Sequence, residues 1–157
     1  MFLALSLWLT GVVACDFARR RVPDRWVMAG AVLAIVALAV DRSPLAVSGP
    51  DALLGGAGAV LILLGFHALG LTGTGDVKFA GVLGLWVGGP PLLPIAVGAG
   101  LLAGGHGLFS LARHHGPWRM HPDATAVLPA QASIPHAGYL ALMALVWLAL
   151  RLGPTPR

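Results

Sequence analysis

Residues 1–21 read MFLALSLWLTGVVACDFARRR, which is fifteen residues without a charge (Met1 to Cys15), then Asp16, then three cations at Arg19, Arg20 and Arg21. An apolar run of that length closed by a basic cluster is the pattern of a membrane-crossing helix whose C-terminal end is held on the side where positive charge is retained. Two other readings compete for the same stretch. A signal peptide, or a lipoprotein cleavage box at Val12-Val13-Ala14-Cys15, needs a positively charged segment ahead of the apolar run. Met1 to Trp8 carries no charged side chain, and the arginines come after the run.

Working outward, apolar runs recur at about 26–40, 51–71, 77–89, 91–112 and 134–152. The 157-residue chain is 57% hydrophobic and 10% charged, with mean hydropathy +0.85, against about 25% charged residues in an ordinary soluble domain. These features predict an all-α polytopic membrane protein of about six transmembrane helices. They form one domain over 1–157, with 113–133 as a cytoplasmic loop within it. Gly89-Pro90-Pro91 breaks what would otherwise be one very long apolar stretch, and predicts a hairpin there. The second and fourth runs are short for a span. With the N-terminus outside, six spans place Arg19, Arg20, Arg21, Arg25, Lys78, Arg113 and Arg119 on the cytoplasmic side and Arg42, Arg151 and Arg157 outside. Seven against three is the ratio the positive-inside rule asks for, and the opposite orientation inverts it. Small-residue spacing at Gly84/Gly88 and Gly100/Gly104 predicts close helix packing.

The net charge of +4 could suggest a nucleic-acid partner, but the cations stand between apolar runs and mark loops, so no nucleic acid is expected. The lone Cys15 can form neither an internal disulfide nor a multi-thiolate zinc site. All six acidic residues are aspartates, at 16, 24, 41, 51, 76 and 123, so any carboxylate chemistry must come from them. Asp16 closes the first run, where an unpaired carboxylate is costly; it could simply pair with Arg19 or Arg20. Asp76 lies in Gly73-Thr74-Gly75-Asp76-Val77-Lys78, between the third and fourth runs and on the same side as Asp16. The glycines would ease a turn, and a helix N-terminus would favour the carboxylate, so a capped turn also accounts for this segment. Two carboxylates brought together share a proton, and one can then act as base toward water while the other acts as acid.

Three segments carry a family resemblance. Asp16-Phe-Ala-Arg-Arg-Arg-Val22-Pro23-Asp24 resembles the first motif of the type IV prepilin peptidases, an aspartate followed after five residues by an aliphatic residue, proline and usually asparagine. Gly73-Thr74-Gly75-Asp76-Val77-Lys78 is similar to their second motif, and Ile134-Pro135-His136-Ala137-Gly138-Tyr139-Leu140 to the segment that opens their last helix. The resemblance implies a membrane aspartyl endopeptidase of the bacterial inner membrane. It would cut the basic leader of prepilin or pseudopilin precursors at the cytoplasmic face, with Asp16 and Asp76 catalytic and Gly73, Gly75, Lys78 and Pro23 supporting them. Its partners would be those precursors and membrane lipids, and neither cofactor nor metal is implied. The likeness is to the short form of the family, without the N-terminal cysteine-containing segment associated with methyl transfer, as in systems that assemble tight-adherence pili. It therefore implies peptidase activity and carries no evidence for methyl transfer. Asp24 stands where the family usually has asparagine, and reads as a turn former or cap for the second span.

Lys78 could hold the charge state of the pair, meet an acidic residue of the substrate, or anchor the chain at the interface. His114, His115 and His121 with Asp123 could suggest a metal site, but they fall in a Gly/Pro-broken loop without helical His spacing. His67 is an intramembrane polar residue that packs or hydrogen-bonds in the bland reading. Two rival functions remain: a small proton or cation transporter subunit, which would need polar residues such as His67 and His106 in mid-span, and a non-catalytic pilus assembly factor, which would tolerate loss of Asp16 and Asp76.

Overall fold

In the computed structural model, which describes residues 1–70, 72–113 and 135–152, every regular element is a helix. In chain order these are α1 (Phe2–Arg19), α2 (Asp24–Ala39), α3 (Gly49–Ala68), α4 (Thr74–Val87), α5 (Gly89–Arg113) and α6 (His136–Leu152). The six apolar runs and the six helices correspond, and the chain is an all-α polytopic membrane protein. Helix length divides the set. Stretches of 18, 20 and 22 residues in α1, α3 and α5 are long and apolar enough to cross a membrane, whereas the apolar part of α6 (His136–Arg151) is shorter. Helix α2 has 16 residues and α4 has 14. At 1.5 Å per residue, α4 covers only about 21 Å of a hydrocarbon layer about 30 Å thick.

Helix α4 tolerates its shortness because other helices surround it. Nine of its fourteen residues are buried, Phe79, Leu83 and Trp86 almost completely, and it packs against α2, α3, α5 and α6. Helix α3 is the opposite case, burying only Ala52, Gly55, Gly56 and Ala59 while Leu53, Leu54, Leu61 and Ile62 stay exposed. In lipid that is the favourable arrangement, since acyl chains solvate leucine as well as another leucine does and small residues are what let two helices approach.

Helices α3 and α4 meet backbone to backbone. An added Cβ at Gly84 would stand 2.4 Å from the Gly55 carbonyl oxygen, and one at Gly55 would stand 2.6 Å from the Gly88 carbonyl carbon. Both obstacles are backbone and cannot rotate away. We expect Gly84→Ala to destabilise the protein by at least about 2 kcal/mol in reversible unfolding from micelles. Gly88 has a second role beside the close packing its spacing predicted: at φ +76° it makes the turn from α4 into α5, where glycine carries no Cβ penalty. Gly100 and Gly104 depart further from expectation, because a Cβ at either meets nothing within 4 Å. Gly100→Ala should therefore leave stability within about 0.5 kcal/mol of wild type in the same measurement.

Tryptophans fix α2 against α1 and α4. The Trp8 indole donates to the Trp26 carbonyl at 2.7 Å and the Trp86 indole to the Gly30 carbonyl at 3.1 Å. A Cβ on Gly30 would fall 2.2 Å from the Trp8 ring, so that ring needs a glycine opposite it. Helix α6 lies against both α1 and α5. These packings carry the C-terminal end of α1 and the N-terminal ends of α2, α4 and α6 toward one cavity.

Candidate active site

Helix α1 runs three residues past Asp16, so this aspartate sits within the last turn of a helix and not beyond its end. It is 5% exposed, the buried charged residue among the described ones. Its Oδ2 accepts a hydrogen bond of 2.6 Å from the backbone N–H of Gly138, near the start of α6. The first turn of a helix offers N–H groups that have no partner inside the helix, and a carboxylate is a good acceptor for one of them.

Asp76 is the third residue of α4, whose N-cap is Gly73. Its carboxylate takes backbone hydrogen bonds from Gly73 and from Ala137 of α6, the first being the reach-back of a capping box. Asp76 precedes the apolar run that begins at Val77. Burial pushes its carboxyl above the ordinary carboxylate range, opposed first by the His136 imidazole and then by the two amides. Ala137 and Gly138 are neighbours in sequence, so one turn of α6 serves Asp76 and Asp16 through consecutive amides. The two aspartates and His136 are within electrostatic reach of one another.

These groups line a cavity of about 560 Å³ with Arg20, Arg21, Val22, Asp24, Gly73, Thr74, Gly75, Lys78 and Ala137. Of the residues picked out in the sequence, Asp16, Asp76, Gly73, Gly75 and Lys78 thus meet in one place. Pro23 does not line it; at φ −61° it is the N-cap of α2 and sets the direction of that helix. The expected role of glycine before Asp76 also changes. Neither Gly73 nor Gly75 has positive φ, and a Cβ on Gly75 would meet nothing within 4 Å. The absence of a side chain at Gly75 leaves space in the cavity wall; the residue with left-handed backbone near this loop is Gly70.

Asp24 makes no side-chain cap on α2. It pairs with Lys78, whose Nζ lies 3.2 Å from its Oδ1. Both side chains are more than half exposed, so the pair contributes at most about 1 kcal/mol. An apolar groove of about 550 Å³, walled by α2, α3 and α4, shares Asp24 and Lys78 with the cavity and runs along Val27, Met28, Gly81, Val82 and Leu85. His67 bonds to the Thr72 carbonyl at 2.7 Å and fastens the segment leading to α4. His106 hydrogen-bonds the Tyr139 hydroxyl across α5 and α6. Both histidines thus have packing partners. His114, His115, His121, Asp123 and Ile134, with nearly all of the 113–133 loop, lie outside the described residues. Among the described residues, no three His, Cys or Asp side chains are placed to hold a metal ion.

Sequence reasoning passed over His136, Ala137 and Gly138 as individual residues, although they lie in a segment it singled out. The signal was their position directly after Pro135, where a helix begins and its amides are free.

The sequence model that describes the type IV leader peptidase family matches residues 3–108. That match spans α1 to most of α5 and includes Asp16 and Asp76, and it stops short of α6. Comparison with curated proteins and with solved structures gives no match.

Proposed function

Because the chain belongs to the type IV leader peptidase family, we propose that it is an aspartic endopeptidase that removes the basic leader of prepilin-like precursors, with Asp16 and Asp76 as its catalytic pair. The observation that carries this reading is the meeting of the two aspartates in one cavity, each bonded by an amide of the same α6 turn. In the proposed mechanism the pair holds one proton. The ionised member takes a proton from water as it attacks the scissile carbonyl, and the protonated member donates to the amide nitrogen that leaves.

The charge distribution supports a cytoplasmic placement of this cavity, since Arg19, Arg20, Arg21, Arg25 and Lys78 cluster at its end of the bundle. The N-terminus would then lie outside, in the inner membrane. The apolar groove that meets the cavity at Asp24 and Lys78 suits a substrate with a polar leader and an apolar continuation. A transporter reading would need unpartnered polar groups in mid-span, and His106 is engaged by Tyr139.

The experiment is cleavage of a membrane-inserted precursor, with a basic leader ahead of its apolar helix, by the purified chain in lipid vesicles. Two products, separated at the leader junction, are expected, and the rate should survive EDTA because acid–base chemistry by a carboxylate pair requires no metal. Loss of cleavage on chelation, restored by Zn²⁺ alone, would overturn the carboxylate mechanism and bring the 114–123 histidines into the site.

A further inference from the structure

We propose that His136 is a positioning residue of this site, its imidazole set in the cavity with both aspartates so as to favour their shared negative charge, and this rests on the peptidase reading above. It is the first residue of α6, directly ahead of the two residues whose amides bond Asp76 and Asp16. Its side chain lines the cavity with both carboxylates and acts electrostatically on each of them. Among the described residues its Nδ1 is buried without a hydrogen-bond partner. A buried ring nitrogen with no acceptor is costly to leave in that state. The two carboxylates in the same cavity give that cost a reason, which a merely packed ring would lack.

The charged groups around His136 come from every side of the cavity. Asp16, Arg20 and Arg21 belong to the end of α1 and the loop after it, Asp24 to α2, and Asp76 and Lys78 to α4. Lys78 is engaged by Asp24. His136 acts electrostatically on Asp16 and Asp76 alike. Its removal therefore makes the first ionisation of the pair harder, and the acid limb of the activity profile moves toward higher pH.

The test is the pH profile of kcat/KM for the full chain in vesicles, comparing wild type with His136→Phe, His136→Gln and His136→Lys. The acid limb of the Phe and Gln variants is expected about one pH unit above wild type, and the Lys variant should stay at or below the wild-type position. The position of a limb does not depend on how much enzyme folds, so partial misfolding leaves the readout intact. Limbs that coincide while only the amplitude falls would overturn the proposal and leave His136 a packing residue. A Lys variant shifted as far as the Phe variant would also overturn it, since charge would then be irrelevant. Wild-type enzyme that cleaves normally in either of those cases keeps the peptidase reading, whereas a wild type that cleaves nothing removes both.

Discussion

Asp16→Asn and Asp76→Asn are each expected to lower precursor cleavage by at least about 10³-fold, the scale of acid–base catalysis by a positioned group. Asparagine keeps the size of the side chain and can still accept the Gly138 amide at position 16 or the Gly73 and Ala137 amides at position 76, but it cannot cycle a proton. The double variant should be scarcely worse than either single one, because two residues that act as a unit are both disabled by the first loss. Asp24→Asn is the internal control: it lines the same cavity, yet its bond is to Lys78 at the exposed edge, and its activity should stay within about threefold of wild type. Stability should move against activity at position 76. Burial raises that pKa above its ordinary 3.8, so the folded protein holds this proton more tightly than the unfolded chain, and the ionised side chain costs stability as pH rises from 3.8 through the raised value. Asp76→Asn removes the cost, and its unfolding midpoint at pH 7 should be no lower than that of wild type. Substantial cleavage by either single variant would leave the assembly-factor reading standing; loss in Asp24→Asn instead would mean that the first loop contributes a different carboxylate.

Gly138→Ala is expected to reduce kcat/KM by about 10²-fold, the cost of a reacting group displaced by about an ångström. The methyl group would stand 2.8 Å from the Phe17 ring and 3.1 Å from Asp16 Oδ2, beside the amide that bonds the same oxygen at 2.6 Å. Something must move, and Asp16 and Phe17 are adjacent on α1. Phe17 also packs edge-on against Tyr139, so the ring cannot swing away without disturbing α6. Shortening the obstacle by Phe17→Leu in the Gly138→Ala background should restore part of the activity, measured as the kcat/KM of the double variant against the single one. Near-normal cleavage by Gly138→Ala itself would show that the α6 amide does not set the position of Asp16.

Read by itself, the sequence determined the solvent of this protein and most of its helices. Apolar runs and the basic clusters between them are local, one-dimensional properties, and a bilayer converts them into helices because unpaired backbone groups cannot be left in hydrocarbon. The apolar runs and helix ends agree to within a few residues, and the break expected at Gly89-Pro90-Pro91 falls just ahead of it, at Gly88, with those three residues opening α5. The aspartates were legible too, as rare carboxylates in an apolar chain. Span number was less so: a 14-residue helix such as α4 survives only because its neighbours bury it, and burial is a property of the assembled bundle. Only the tertiary structure decided that Pro23 stands outside the cavity, that Asp24 holds Lys78 and makes no side-chain cap on α2, and that Cβ atoms at Gly100 and Gly104 would meet no described atom within 4 Å. It also decided that the start of α6, 122 residues from Asp16, supplies the amide that holds it and the histidine beside it. Residues so far apart meet through the packing of α6 on α1, and no spacing along the chain encodes which helices become neighbours.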